Sequence, residues 1–322
     1  MADMRILSGI QPSGFLHLGN YFSMMKRMIE SQENNELLCF IADYHAMTTI
    51  QDGELLSKNV KQAAIDFLSC GLDPEKAVFW VQSHRPEVLE FSWILSNFIT
   101  VSQLELGHSY KDKITQGVTA NASLFTYPVL MAADILMYGS EKVPVGKDQK
   151  QHIEFTRDIC QRVNARYGDT LTMPEADILD SVATVPGIDG RKMSKSYGNA
   201  IYFFQEEKAL RKTIMSIVTD SAGVNEKKDH DQPLYHIFSL FLNDQEKVEL
   251  RDKFETPGTG YGDIKKQLFA TIMSFFGPMR EKRDQLMSKP SEVDDILNEG
   301  AKKAQAISKS YFVHLSKHAG LN

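Results

Sequence analysis

Four short, mostly apolar runs punctuate the first half of the chain: RILS at 5–8, ELLCFIA at 36–42, AVFWV at 77–81 and KVPV at 142–145. Between them lie stretches whose apolar residues recur at helical intervals. Strands covered by helices on both faces read as continuous apolar runs, and a strand–helix alternation of this length builds βαβ units. This pattern confines the first half to an α/β architecture with a parallel sheet. Helices are expected over 18–31, after the turn GIQPSG, and over 57–70, where Val60, Ala63, Ala64, Phe67 and Leu68 share one face and Gly71 suits a C-cap. Pro86 opens another helix, residues 131–138 read as helical, and 150–167 is a long amphipathic helix ending at Gly168. From about Gln205 the strand signals fade, and Lys, Glu, Leu and Phe recur at helical spacing through Phe276, broken by PGTGYG. The second part therefore reads as all-helical.

Composition narrows the function classes. The 322 residues carry a net charge of −6 and are 42% apolar, and no apolar stretch approaches the roughly 20 residues a membrane helix needs. No basic-then-apolar leader follows Met1, so a soluble cytoplasmic protein is expected. The cysteines Cys39, Cys70 and Cys160 are odd in number, widely spaced and without a CxxC pair, which fits reduced core thiols and no zinc site. Charge is uneven: 15 basic and 23 acidic residues lie up to Pro186, against 21 and 19 after it. A mildly basic second part can offer a local phosphate-binding face, although on charge alone scattered lysines on solvated helices are the more ordinary explanation.

Glycine-rich phosphate loops of the usual kinds are missing from the sequence. Three other constellations can hold phosphate. GIQPSGFLHLGN sets Gly9, Gly14 and Gly19 around a helix N-terminus, where unpaired N–H groups attract anions, and places His17 and Asn20 one turn apart. Taken alone, a His and an Asn at a helix start are more often caps or surface residues. GRKMSKSYGN carries Lys192 and Lys195 three apart between Gly190 and Gly198, so two ammonium groups on a mobile loop could meet a polyphosphate. VPVGKDQKQH ends a strand at Gly146 and puts Asp148 and Gln149 at the carboxyl end of the sheet, where ligands bind in open α/β folds.

The histidine-x-Gly-Asn at 17–20, GKDQ at 146–149 and KMSKS at 192–196, in this order on a βαβ framework, resemble the class I aminoacyl-tRNA synthetases. YPVLMAADIL at 127–136 followed by VPVGKDQKQHIEFTRD is similar to their tryptophanyl branch, of bacterial type, over most of the chain and least after about residue 205. The resemblance implies a Rossmann-like catalytic domain over 1–186, a KMSKS loop and all-helical anticodon-binding domain over 187–292, and C-terminal helices from 293 to 322 returning to the catalytic domain. It implies a tryptophan–tRNA ligase that attacks the α-phosphorus of ATP with the tryptophan carboxylate, releases pyrophosphate and passes tryptophan to the 3′-terminal ribose of its tRNA. A homodimer paired through residues 80 to 140 follows from the same resemblance, as does Mg²⁺ carried by the ATP phosphates rather than by a protein cage.

Residue by residue, His17 and Asn20 would donate to ATP phosphates, and Gly19, Gly146, Met193 and Ser194 would line the nucleotide. Lys192 and Lys195, with Lys113 in SYKDKITQG, would clamp the leaving pyrophosphate, and Asp148 would hold the ribose hydroxyls. Gln11 would lie near the amino-acid carboxylate end of the site. Gln149 with Tyr127 would orient the α-amino group. Asp134 would accept from the indole N–H, a group that donates and never accepts. Met131, Val143 and Val145 would line the flat pocket, with His45 near it. On residue type alone, Asp134 is more often an N-cap or surface carboxylate, Met131 and the valines are by default core residues, and His45 is equally a satisfied core histidine. Asn20 stands where the family's generic motif has His, and Lys147 where Glu is frequent; the motif lysines are followed by Tyr197, Gly198 and Asn199. A tyrosyl-specific relative would need more polar partners than an aspartate flanked by Ala132, Ala133, Ile135 and Leu136. A smaller nucleotidyltransferase would leave KMSKS unexplained. A non-catalytic tRNA- or tryptophan-binding paralogue would be free to lose His17 or the loop lysines, which are all present.

Overall fold

The computed structural model describes residues 4–107, 121–146, 149–178 and 185–321. Strands β1 (Arg5–Ile10), β2 (Glu36–Ile41), β3 (Val78–Val81), β4 (Lys142–Val145) and β5 (Glu175–Ile178) form one sheet in the order β3-β2-β1-β4-β5. All four pairings are parallel, with Ile6 of β1 opposite Leu37 on one side and Lys142 on the other. The α/β reading of the first half therefore holds. Strand order reverses at the β1/β4 junction, the place where doubly wound sheets leave a crevice for ligands.

Alternation along the strands makes two cores. Ile6, Ile10, Leu37, Cys39, Ile41, Phe79 and Val81 point to one face. Leu7, Leu38, Phe40, Trp80, Val143 and Val145 point to the other. Strand β5, which the sequence did not announce, reads EADI: an edge strand with a single neighbour needs no continuous apolar run.

The first helix, α1, spans residues 18–31 as expected, but its middle, Tyr21–Met25, opens into a wider π turn. Tyr21 and Phe22, though consecutive, both enter one aromatic cluster with Phe275, and Tyr21 lies 5.0 Å from Phe276. Helix α2 (Gly53–Ser69) starts earlier than its apolar face suggests because Asp52 caps the Glu54 and Leu55 N–H groups. After β3, helix α3 (Glu87–Leu95) follows Pro86. Helix α4 (Ala122–Leu136) begins nine residues before the 131–138 expected from sequence. Asn121 caps it through Leu124 N–H at 2.8 Å, and the helix carries Pro128 inside, where proline normally argues for a boundary. Helix α5 (Lys150–Tyr167) ends at Gly168, whose φ of 79° only glycine adopts without strain.

The second part is helical, as expected: α6 (Glu207–Met215), α7 (Pro233–Ser239), α8 (Asp244–Glu255), α9 (Tyr261–Ser288) and α10 (Pro290–His318). Helix α10, one element of 29 residues, lies against β3. A Cβ on Gly300 would sit 1.7 Å from the Phe79 carbonyl oxygen, so the backbone contact requires glycine there. Among the described residues no helix is long and apolar enough to cross a membrane. The three cysteines are free and buried, and burial pushes their thiols up, Cys160 to about 11.

Candidate active site

The motif residues converge on the β1/β4 crevice from two sides. On the first side, β1 ends at Ile10 and the chain turns through Gln11–Gly14, with Ser13 N–H donating to the Gln11 carbonyl at 2.8 Å and Gly14 at a φ of 86°. His17 is the N-cap of α1. Its Nδ1 accepts from Asn20 N–H at 3.3 Å, and Asn20 Oδ1 accepts from His17 N–H at 3.1 Å. The cap reading and the functional reading of this pair are thus compatible: accepting at Nδ1 leaves the proton on Nε2, an uncharged donor. Burial, and then the nearby Lys195 ammonium, lower the His17 pKa to about 4, so the ring is neutral at physiological pH.

The KMSKS segment folds over this turn. Leu18 N–H donates to Ile201 O at 3.0 Å, and His17 and Tyr202 form an antiparallel bridge. Met193 is buried and its Sδ receives Gly19 N–H at 3.3 Å; a Cβ on Gly19 would meet the His17 ring at 2.9 Å. Lys195 Nζ donates to Ser13 O at 2.8 Å and lies 3.3 Å from Ser13 Oγ, so its ammonium sits at the turn. Half-burial lowers its pKa, opposed by the charge of Asp66. Lys192 is exposed, and Ser194 Oγ lies 2.9 Å from Ser196 Oγ.

Asn199, which sequence reasoning quoted only as a variation, organises the loop. Buried, it accepts from Ser194 N–H at 2.8 Å and donates to Asp189 Oδ1 at 2.7 Å and Lys192 O at 3.1 Å. Its amide also occupies the space a Cβ on Gly187 would need, 2.3 Å away.

On the second side lies a cavity of about 420 Å³, within the range of small-molecule sites. Gln11, His45, Tyr127, Met131, Asp134, Val143, Val145, Gly146 and Gln149 all line it. So do Gly9 and Phe40, which sequence reasoning did not single out for the pocket; a Cβ on Gly9 would press on the Phe40 ring at 3.0 Å and intrude into the cavity. Asp134 is no surface carboxylate. It is buried, with Oδ2 2.8 Å from His45 Nε2 and both oxygens within 2.9 Å of Gln82 Nε2. Burial raises its pKa, and the bonds from His45 and Gln82 work against that rise. Gln82 was missed. The available signal was a polar residue immediately after the strand AVFWV, at the carboxyl end of the sheet. Its own Oε1 accepts from Tyr44 N–H at 3.1 Å, which fixes the amide's orientation. Tyr127 Oη lies 2.6 Å from His152 Nε2. Two expected residues, Lys113 and Asp148, lie outside the described residues, as does Lys147.

The arrangement joins an acceptor-ended pocket to a cluster of one neutral and two cationic hydrogen-bond donors, His17, Lys192 and Lys195. Among the described residues no group of three or more His, Cys, Asp or Glu side chains is placed to hold a metal. A larger surface groove of about 710 Å³, between the lead-in to β3 and the start of α10, contains none of the motif residues.

Comparison with known proteins gives one consistent result. The family described as tRNA synthetases class I (W and Y) matches residues 1–277. A tryptophan–tRNA ligase of Campylobacter jejuni is 49% identical over 99% of this chain and its own full length. One from Fusobacterium nucleatum is 50% identical over 94% of each chain. The crystal structure of the C. jejuni tryptophanyl-tRNA synthetase complexed with ADP and tryptophan superimposes with a TM-score of 0.95 at 48% identity, covering 99% of this chain and all of that one. The Mycoplasma pneumoniae tryptophanyl-tRNA synthetase gives 0.81 at 29% identity over 99% and 98%.

Proposed function

The chain belongs to the class I tRNA synthetases of the tryptophan and tyrosine group, and we propose that it is a tryptophan–tRNA ligase: it activates L-tryptophan with ATP and transfers it to the 3′-terminal ribose of the tryptophan tRNA. The single observation that carries the amino-acid choice is Asp134, a buried carboxylate held as an acceptor at the edge of an otherwise mostly apolar cavity. Indole presents one donor and no acceptor, which this site satisfies, whereas a phenol would also bring an oxygen lone pair toward the carboxylate.

In the proposed reaction no enzyme nucleophile is needed. The tryptophan carboxylate attacks the α-phosphorus in line, and the protein's part is to position the reactants and stabilise charge on the phosphorus centre and departing pyrophosphate. His17 Nε2–H and the α1 N-terminus donate to ATP phosphates. Asn20 holds His17 in the tautomer that donates, and its amide stays available to the nucleotide. Lys192 and Lys195, with Lys113, take the growing charge on pyrophosphate. Asp148 holds the ribose, and Gly19, Gly146, Met193 and Ser194 line the nucleotide. Gln11 lies near the amino-acid carboxylate, and Gln149 and Tyr127 take the α-amino group. Met131, Val143 and Val145 sandwich the ring, and His45 supports Asp134. Mg²⁺ would be held by the nucleotide phosphates rather than by a protein cage and would supply charge neutralisation there.

The helical region over residues 187–292 is assigned to the anticodon, with 293–322 returning to the catalytic domain over 1–186. A homodimer through the face of α3 and α4 is supported by the exposure of Trp93 (75%) and Leu89 (45%) beside a shallow cavity bounded by Tyr44 and Thr126. Free buried thiols support a cytoplasmic setting. The test is ATP–pyrophosphate exchange with tryptophan and with tyrosine, in the presence of Mg²⁺. Exchange with tryptophan alone is expected; exchange with tyrosine alone would overturn the assignment of the pocket.

A further inference from the structure

Behind the loop that carries Lys195, a buried ion pair joins the two parts of the chain. Asp66 of α2 is 1% exposed, and its Oδ1 accepts from Arg283 Nε of α9 at 2.8 Å and from Gln62 Nε2 at 2.6 Å. A charge pair at this depth stabilises little beyond what well-packed apolar side chains would, so its worth lies in what it positions. Arg283 also places its guanidinium 5.0 Å from the Phe204 ring, and Arg280, one turn earlier, donates to Phe203 O at 2.6 Å. Phe203 in turn stacks on Phe276 of α9 at 4.3 Å. Phe203 and Phe204 end the segment that starts at Asn199 beneath the loop and bridges His17 through Tyr202. One connected path therefore runs from α2 through Arg283 to the segment that supports the loop.

A second path is electrostatic. Among the described residues, the hydrogen-bond acceptors at Lys195 Nζ are the uncharged Ser13 oxygens, and Asp66 is the carboxylate whose charge counters the desolvation of that ammonium.

We infer that Asp66, paired with Arg283, is a positioning residue for Lys195: it locks the 199–204 segment onto α9 and holds the Lys195 ammonium at the Ser13 turn, aimed at the phosphates. The inference rests on the proposed role of Lys195 in activation.

The test is single-turnover tryptophan activation by the full-length protein, with Asp66→Asn and Arg283→Lys each made in the native and in a Lys195→Ala background, and thermal midpoints measured in parallel. Asp66→Asn is expected to slow activation about tenfold in the native background, the effect of one charge-assisted contact, and less than twofold with Lys195→Ala. Its KM for tryptophan should stay within twofold of the native value. Arg283→Lys keeps the charge but not the planar fork, and should slow activation at least threefold in the native background alone. If Asp66→Asn does not fold, that second comparison decides. Equal losses in both backgrounds, or native rates in folded variants, would overturn the inference. A Lys195→Ala protein as fast as the native one would fail differently, by removing Lys195 from the reaction.

Discussion

Replacing Gln82 with leucine tests whether Asp134 works as an ionised acceptor. Gln82 is buried, and leucine is close to it in shape, so the perturbation falls on hydrogen bonding more than on packing. Tyr44 N–H keeps a partner, Asp43 Oδ1 at 3.0 Å. What disappears is the amide contact to both Asp134 oxygens at 2.8 and 2.9 Å, leaving His45 at 2.8 Å. A hydrogen bond to a charged group is worth about 1.5–3 kcal/mol. If tryptophan binds only the ionised form, that loss becomes roughly a 10- to 150-fold fall in kcat/KM for tryptophan, with the KM for ATP within twofold. The pH dependence gives an independent sign. Burial already holds the Asp134 carboxyl above its ordinary range, and Gln82 opposes the rise. Removing Gln82 raises the pKa further. Tryptophan binding, present above that pKa and lost as pH falls through it, should therefore fail at a higher pH in the variant. The assay is tryptophan-dependent ATP–pyrophosphate exchange from pH 5.5 to 8.5. An acid limb that stays in place, together with kcat/KM within threefold of native, would refute the role of Gln82 in poising Asp134.

Three further outcomes are expected. Asn199→Ala removes the acceptor for Ser194 N–H and the donor to Asp189 and Lys192 O; it should cost about 1–3 kcal/mol in urea unfolding and slow activation at least tenfold, and unchanged activation would detach the loop from the chemistry. Because the His17 pKa falls from about 6.5 to about 4, the fold prefers the neutral ring: its contribution is full above about 6.5 and is lost as pH drops toward about 4. Thermal midpoints of the native protein should fall more steeply over that window than those of His17→Gln, and parallel curves would contradict a neutral His17. Gly300→Ala, with no room beside the Phe79 carbonyl, should destabilise by about 3 kcal/mol or more in thermal melts.

What the sequence made legible was local. His17 and Asn20 are close neighbours in the chain, as are Lys192 and Lys195, each pair with glycines around it, and the strand alternation that frames them is a periodic signal. Asp134 could be named but not placed, because its burial depends on β3, α4 and the turn at His45 meeting in space. Gln82 and Asn199 escaped for a related reason: each is a single amide whose importance lies in partners tens of residues away or in the exact curl of a loop. Helix α4 starts nine residues before the stretch that reads as helical; Pro128 disfavours a helix locally, and tertiary packing against α3 and α5 overrides that preference. The ion pair of Asp66 with Arg283 spans 217 positions and leaves no trace in either segment alone.

The division of charge between the end of β1 and the KMSKS loop bears on how the proposed reaction gains its rate. Strand β1 leads to both proposed subsites: Leu7, Gly9 and then Gln11 line the pocket, while Ser13 and His17 lie beside Lys195, where the proposal puts the phosphates. In the proposed reaction the carboxylate of the bound amino acid and the phosphates of ATP would thus meet at one strand end, which would remove much of the entropy of encounter. The donor fixed there, His17, is neutral, so in the proposed role it would orient ATP without adding charge that holds substrate and transition state alike. The cations sit instead on the KMSKS loop, with Lys192 exposed and Lys195 resting on a backbone carbonyl that phosphate oxygens can replace. Charge that reaches the pyrophosphate as its negative charge grows favours the transition state over the bound substrates, which raises kcat rather than only tightening binding.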